Sequence, residues 1–123
     1  MKDKILVVDD EDSLRMTLKM RLQSSDFDVE TAADGEEALR FCESSEQPIH
    51  LLLTDVVMPK MTGKQLVERL AEVNKSIPRV LYMSGYTADT ILHHGVLHDG
   101  IEFIPKPLTP LAILTKIREV LDG

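Results

Sequence analysis

The run Lys4-Ile5-Leu6-Val7-Val8-Asp9-Asp10, close to the amino end of the chain, is the clearest indication of its architecture. Its apolar residues follow one another without alternating with polar ones, which is typical of a β-strand that other elements cover on both faces. Strands of this kind occur mostly in parallel sheets. The run ends abruptly in acids, so the sequence predicts two carboxylates directly after the carboxyl end of a buried strand.

The rest of the chain alternates between helical patterns and short apolar runs. Leu14, Leu18 and Leu22 recur every four residues, which is the spacing of one helix face. Asp12 and Ser13 are both candidate N-caps of this first helix. Four more strands are predicted at 28–33, 49–54, 79–83 and 101–104.

The remaining helices are predicted from their turn and cap residues. A short helix is expected at 88–94, where Gly95 limits its length, and Thr109 and Pro110 suit the N-cap and first position of the last helix. The predicted buried faces consist of Ala38, Leu39 and Cys42 in the second helix, of Leu66, Val67 and Leu70 in the third, and of Leu111, Leu114, Ile117 and Leu121 in the last.

This order of elements predicts an α/β fold in which a parallel sheet lies between two layers of helices, because each connection between parallel strands must cross a face of the sheet. Five strand–helix units fit a flavodoxin-like (βα)5 three-layer sandwich with strand order 2-1-3-4-5. The chain has the usual size of one domain, and we expect residues 1–123 to form it. Ligands bind such folds outside the carboxyl ends of the strands, between strands 1 and 3.

The composition argues against several classes of protein. The 21 acidic and 14 basic residues give a net charge of −7, and no basic stripe is present, so direct contact with nucleic acid is not expected. No apolar run approaches the roughly 20 residues of a membrane span, and the amino end lacks a signal-peptide pattern. Cys42 is the only cysteine, which excludes an internal disulfide. We therefore expect a cytoplasmic protein without direct membrane contact.

Polar side chains are predicted at the carboxyl ends of four strands. Asp9 and Asp10 follow strand 1, and Asp55 ends strand 3. Ser84 ends strand 4, and Lys106 follows strand 5. Since the carboxyl ends of parallel strands share one edge of a sheet, we expect these five residues to converge. Three neighbouring carboxylates disfavour one another's charge unless a cation is present, and Mg2+ (or Mn2+) suits an all-oxygen site.

Four sequence motifs, taken together, resemble those of response-regulator receiver domains of two-component signalling. They are Ile5-Leu6-Val7-Val8-Asp9-Asp10-Glu11, Asp55-Val56-Val57-Met58-Pro59 with Gly63, Ser84-Gly85, and Lys106-Pro107. The resemblance covers essentially the whole chain, and the motifs appear in the family's order. It implies that Asp55 accepts a phosphoryl group from a phosphohistidine on a histidine kinase or a histidine phosphotransfer domain.

The same resemblance implies roles for the other residues of the predicted site. Asp10 and Asp55 would bind Mg2+ directly, together with the main-chain carbonyl of Val57. Asp9 would bind the cation through water or help to shape the acidic pocket. Lys106 would pair with the phosphoryl oxygens. These roles amount to positioning and charge neutralisation, which are the usual requirements of phosphoryl transfer.

The resemblance also implies a switch in conformation. Ser84 would move to donate a hydrogen bond to a phosphoryl oxygen, and Phe103 would turn inward to fill the vacated space. That change would remodel the surface formed by the fourth helix, the fifth strand and the last helix. Lys106-Pro107 matches the cis peptide of the family, which directs Lys106 towards the site.

The origin of the domain is predicted from three further segments. Residues 83–87, 94–97 and 103–110 resemble receivers at the carboxyl end of hybrid sensor histidine kinases. A stand-alone receiver is the alternative, and the oligomeric state stays open. Such a domain is not an enzyme in the usual sense, because it catalyses only its own phosphorylation and dephosphorylation, although a full-length parent could be a histidine kinase.

Two other classes of function fit the sequence less well. A phosphatase of the haloacid dehalogenase type also uses an Asp nucleophile with Mg2+, but it needs a second Asp where this chain has Val57. A flavin- or nucleotide-binding module on the same fold would need a first loop that receives phosphate. Asp9-Asp10-Glu11-Asp12 would repel it. A receiver that signals without phosphorylation is disfavoured by the intact acceptor and metal residues.

Overall fold

Consecutive apolar residues form the strands of one parallel sheet. The computed structural model describes residues 2–84 and 102–122 of the chain. Its strands are β1 (Lys4–Val8), β2 (Asp28–Ala32), β3 (Leu51–Asp55), β4 (Arg79–Ser84) and β5 (Glu102–Pro105). They lie in the order β2-β1-β3-β4-β5, with parallel pairing throughout, which confirms the predicted flavodoxin-like order 2-1-3-4-5.

Four helices connect or follow these strands within the described residues. They are α1 (Asp12–Ser24), α2 (Gly35–Ser44), α3 (Gly63–Glu72) and α4 (Pro110–Asp122). The hydroxyl of Thr109 accepts a hydrogen bond from the Ala112 amide at 3.3 Å, which confirms the predicted N-cap of α4. The helix predicted at 88–94 lies outside the described residues. None of the described helices is long and apolar enough to cross a membrane.

The sheet has an apolar core on each face, which is why its strands are apolar at successive positions. On β1, Ile5 and Val7 belong to one core, which α1 and α4 cover, for example with Leu22 and Ile117. The other core contains the alternate β1 residues and is covered by α2 and α3. The second core includes Leu6, Val8, Ala38, Leu39, Cys42, Leu66 and Leu70. The three-layer arrangement therefore agrees with the sequence prediction.

The buried face of α4 differs from the predicted one. Ile113, Ile117 and Val120 are buried, whereas Leu111 is 76% exposed and the prediction that it packs inward is wrong. At about 100° per residue, Leu111 lies roughly 120° around the helix from Ile117, whereas Ile113 lies one turn away from it. Several apolar residues follow one another at the start of α4, so the sequence does not show which of them begins the buried face.

The start of α1 also differs from the prediction. Glu11 is the N-cap residue, with an extended backbone, so neither Asp12 nor Ser13 caps the helix. The reason lies in the preceding turn, where the Asp9 carboxylate accepts a hydrogen bond from the Glu11 amide at 2.8 Å. This bond fixes the chain before the helix starts, and the Arg15 amide then donates to the Glu11 carbonyl at 3.1 Å.

The strand register brings the carboxyl ends of the central strands to one edge. Val8 pairs with Thr54, Asp55 pairs with Met83, and Ser84 pairs with Pro105. Residues that directly follow these pairs must therefore emerge side by side. The strand order and register therefore bring the polar residues at these strand ends to one edge of the sheet.

Candidate functional site

A lysine that follows β5 joins two carboxylates from other strands. The Lys106 Nζ lies 2.9 Å from Oδ2 of Asp9 and 3.1 Å from Oδ2 of Asp55, so the ammonium group donates to both. Asp9 is completely buried and Asp55 is 7% exposed. The attraction between charges that are largely shielded from water is screened less than that between charges at the surface. The three side chains thus form one charged crevice at the edge of the sheet.

Three carboxylates cluster in this crevice. Oxygen atoms of Asp9, Asp10 and Asp55 all lie within 4.8 Å of one another, and this is the only such group with metal-ligating atoms in residues 2–84 and 102–122. Asp10 is exposed, so the cluster opens to solvent on one side. Hard oxygen ligands at this spacing fit a small divalent cation that keeps several of its waters.

Burial and neighbouring charges change the pKa of two groups in the crevice, Asp55 and Lys106. Burial raises the pKa of the Asp55 carboxyl, and the charges of Asp9 and Asp10 raise it further against the lowering effect of Lys106. Burial lowers the pKa of Lys106, but its bonds to Asp9 and Asp55 outweigh burial and leave the pKa above its usual value. The negative charge of Asp55 is therefore held at a cost that a nearby cation would reduce.

The amide, the carbonyl and both carboxylate oxygens of Asp9 all form hydrogen bonds, and these bonds hold the turn between β1 and α1. Its amide donates to the Ala32 carbonyl at 3.2 Å, and its two carboxylate oxygens accept from the Glu11 amide and from Lys106. The main-chain oxygen of Asp9 accepts a bond of 2.7 Å from a guanidinium nitrogen of Arg15. The sequence gives no signal for this last contact, because an arginine in the first turns of a helix is usually solvated.

The chain after Asp55 is fixed by a second set of bonds. The Thr54 hydroxyl donates to the Asp55 carbonyl at 3.1 Å, and the Val56 amide donates to the Met83 carbonyl at 3.0 Å. The Gly63 amide, at the start of α3, donates to the Val56 carbonyl at 3.0 Å. Thr54 was detectable from the sequence, since it is a polar residue in an otherwise apolar strand.

Gly63 is required by the close approach of α3 to the strand end. A Cβ atom at this position would lie 2.5 Å from the main-chain oxygen of Asp55, and 3.2 Å from atoms of both Thr54 and Tyr82. A side chain would therefore collide with backbone that directly follows the acceptor side chain. Val57, whose carbonyl is the predicted third ligand, lies in the same loop and is partly buried.

The structure places the two predicted switch residues on neighbouring strands. Ser84 is completely buried at the end of β4, and its carbonyl accepts a hydrogen bond of 2.6 Å from the Lys106 amide. Phe103 is half-buried on β5, opposite Tyr82 in register, and packs against a small cluster formed by Val56 and Tyr82. The peptide bond between Lys106 and Pro107 is cis.

Comparison with known proteins identifies the family. Residues 5–118 match the sequence model of the response regulator receiver domain, and this chain belongs to that family. CheY4, a chemotaxis protein of Vibrio cholerae, has a solved structure that superposes with a TM-score of 0.86 at 30% identity, covering 98% of this chain and 100% of that one.

The chain is also similar to parts of longer proteins. Sensor kinase CckA of Brucella abortus is 33% identical over 118 residues, which is 96% of this chain but 12% of that kinase. The solved receiver domain of the hybrid histidine kinase CckA superposes with a TM-score of 0.78 at 32% identity, covering 96% of this chain and 98% of that one. The probable transcriptional regulator ycf27 of Cyanophora paradoxa is 39% identical over 121 residues, 98% of this chain and 48% of that regulator.

Proposed function

We propose that this domain accepts a phosphoryl group on Asp55 from the phosphohistidine of a histidine kinase or a histidine phosphotransfer domain. The observation that carries the proposal is the contact of Lys106 with both Asp9 and Asp55, which places an ammonium group beside a carboxylate whose pKa burial raises. An oxygen of Asp55 forms the new bond to phosphorus as the bond from phosphorus to the histidine nitrogen breaks, and the imidazole leaves. Membership of the receiver family supports the same reaction.

The oxygen-rich crevice fits the divalent cation that the sequence predicts. Asp10 and Asp55 are proposed as direct ligands together with the Val57 carbonyl, and Asp9 as a ligand through water or as part of the pocket wall. The three carboxylates already cluster closely enough to share one ion. When bound, Mg2+ (or Mn2+) would neutralise charge on the carboxylates and on the phosphoryl oxygens.

The chain's own residues then orient the phosphoryl group and respond to it. Lys106 pairs with a phosphoryl oxygen, for which its ammonium group is already directed at Asp55. Ser84 donates a hydrogen bond to another oxygen, and Phe103 moves inward. Ser84 ends β4, and Phe103 lies on the neighbouring β5 against Val56 and Tyr82, which supports a transmitted change at that side of the sheet.

We further propose that residues 1–123 are one cytoplasmic receiver that catalyses only its own phosphorylation and dephosphorylation. Similarity to the receiver of a hybrid histidine kinase supports an origin in such a kinase. Similarity to transcriptional regulators and to CheY4 keeps a stand-alone or regulator-linked receiver as the alternative. The chain spans 12% of the matched sensor kinase and 48% of the matched ycf27 regulator.

The direct test is phosphorylation by a small-molecule donor. The domain is incubated with acetyl phosphate or phosphoramidate, with Mg2+ or with a chelator, and its intact mass is recorded. Asp55→Asn is the control, because asparagine keeps the shape of the side chain but replaces the nucleophilic carboxylate with a neutral amide. We expect a gain of one phosphoryl group that requires Mg2+ and that the control lacks.

Two results would contradict the proposal. An equal gain on the Asp55→Asn variant would move the acceptor to another residue. A gain that is unchanged in the chelator would remove the role of the cation. Where small donors give no product, a phosphorylated histidine phosphotransfer domain is used as the donor. The wild type and Asp55→Asn are then each tested with Mg2+ and with the chelator.

A further inference from the structure

Arg15 makes an unusual contact for an arginine in the second turn of a surface helix. One guanidinium nitrogen donates to the Asp9 main-chain oxygen at 2.7 Å, and another pairs with the Asp12 carboxylate. The Arg15 side chain is 16% exposed, whereas its ionic partner Asp12 is 86% exposed. The guanidinium therefore lies against the strand end, not in solvent.

The ion pair alone does not explain this position. A pair between neighbouring turns of a helix with one partner in solvent contributes little stability. The bond to the Asp9 carbonyl is different, because Asp9 is completely buried and Arg15 is the only donor to this oxygen within the described part of the chain. A buried carbonyl without a donor would be costly.

The oxygen that Arg15 holds belongs to the turn that carries the acidic cluster. Asp9 and Asp10 occupy this turn, and their carboxylates meet that of Asp55. The other bonds of Asp9 run to Ala32, to the Glu11 amide and to Lys106. Of these, the bond to Lys106 is made by a residue that the proposed reaction assigns to the phosphoryl group. Arg15 is thus the side-chain anchor that can stay in place during the reaction.

We infer that Arg15 is a positioning residue for the cation site: by holding the Asp9 carbonyl, it fixes the direction in which Asp9 and Asp10 present their carboxylates. The inference rests on the proposed function, since it assumes that these carboxylates bind Mg2+. Residues that orient metal ligands from behind typically change metal affinity by about 10- to 100-fold when they are replaced. A purely structural role would lower the stability of the fold without a selective loss of affinity.

The test measures Mg2+ binding by isothermal titration calorimetry and folding by thermal denaturation, in parallel. Arg15→Met keeps the apolar stem and removes every donor, and we expect its Mg2+ dissociation constant to rise about 10-fold. Arg15→Lys keeps one donor and should recover part of that loss. Asp12→Ala removes only the ion pair, so its dissociation constant should stay within about threefold of the wild-type value, as expected for an exposed pair.

Amide hydrogen exchange in the metal-free protein gives a second readout. Loss of the anchor should speed exchange at the Asp9 and Glu11 amides more than in the centre of β3. The inference is overturned if folded Arg15→Met binds Mg2+ like the wild type, if Arg15→Lys loses as much affinity as Arg15→Met, or if Asp12→Ala does. If the wild type binds no Mg2+ and accepts no phosphoryl group, the proposed function fails and this inference fails with it.

Discussion

The charged form of the Asp55 carboxyl is disfavoured in the folded protein. Burial and two neighbouring acids raise its pKa, and one lysine offsets them only in part. The folded protein therefore binds a proton at Asp55 more tightly than the unfolded chain does. The contribution of Asp55 to stability is then largest below its unfolded pKa of about 3.9 and falls as the pH rises through the folded value. Above the folded pKa, the charge of Asp55 destabilises the metal-free fold relative to acidic conditions.

Neutralising this residue should consequently stabilise the protein. In a chelator at pH 7, we expect Asp55→Asn to raise the thermal midpoint by about 3 to 5 °C, which corresponds to about 1 kcal/mol in a domain of this size. The advantage should shrink in acid, where wild-type Asp55 is protonated. Glu43→Gln, at an exposed position of α2, is the charge-matched control. If both variants gain equally, the cause is the net charge and not the crevice.

The β3–α3 connection shows how a whole element can constrain a reactive residue. The capping box of Thr62 and Gln65 starts α3, and the Gly63 amide then bonds to the Val56 carbonyl. The helix start is thereby held against the strand end that carries Asp55. Because Gly63 has no side chain, the start of α3 can lie this close to the main-chain oxygen of Asp55.

A methyl group at Gly63 should separate the two elements. We expect Gly63→Ala to lower the free energy of unfolding by about 1 to 3 kcal/mol, the usual cost of overpacking a close contact. It should also slow phosphorylation of Asp55, because the Asp55 carbonyl must shift. Chemical denaturation and the mass assay measure the two effects.

Gly35→Ala is the matched control for this change. A Cβ atom at Gly35 would meet the sulfur of Met61 at 2.6 Å, and that flexible side chain can move. We expect a smaller loss of stability and a phosphorylation rate close to that of the wild type. Equal effects of the two substitutions would show that α3 does not constrain the acceptor.

The sequence predicts some levels of this fold better than others. Strands such as Lys4–Val8 are detectable because burial on both faces requires unbroken apolar runs. The convergence of Asp9, Asp55 and Lys106 follows from strand order, since the carboxyl ends of parallel strands share an edge. The exposure of Leu111 and the contact of Arg15 depend on rotation about a helix axis and on side-chain direction. A residue pattern does not fix either of these.

At the scale of the whole molecule, the acidic crevice is part of a chain with net charge −7. Both apolar cores pack against the sheet whose edge forms the crevice. A ligand bound in the crevice should therefore stabilise the entire fold. A ligand that binds only the folded state adds stability according to its concentration relative to its dissociation constant. A cation bound at Asp9, Asp10 and Asp55 would also relieve the cost of their charges.

We therefore expect Mg2+ to raise the free energy of unfolding, by about 2.7 kcal/mol at 100 times its dissociation constant. Thermal denaturation is measured across a Mg2+ series and across an NaCl series of equal ionic strength, because screening of the net charge alone also stabilises an acidic protein. Asp10→Asn is the site variant, since Asp10 is an exposed member of the cluster. If the NaCl series matches the Mg2+ series, or if Asp10→Asn keeps the full Mg2+ effect, the stabilisation arises from the overall charge and the crevice is not the binding site.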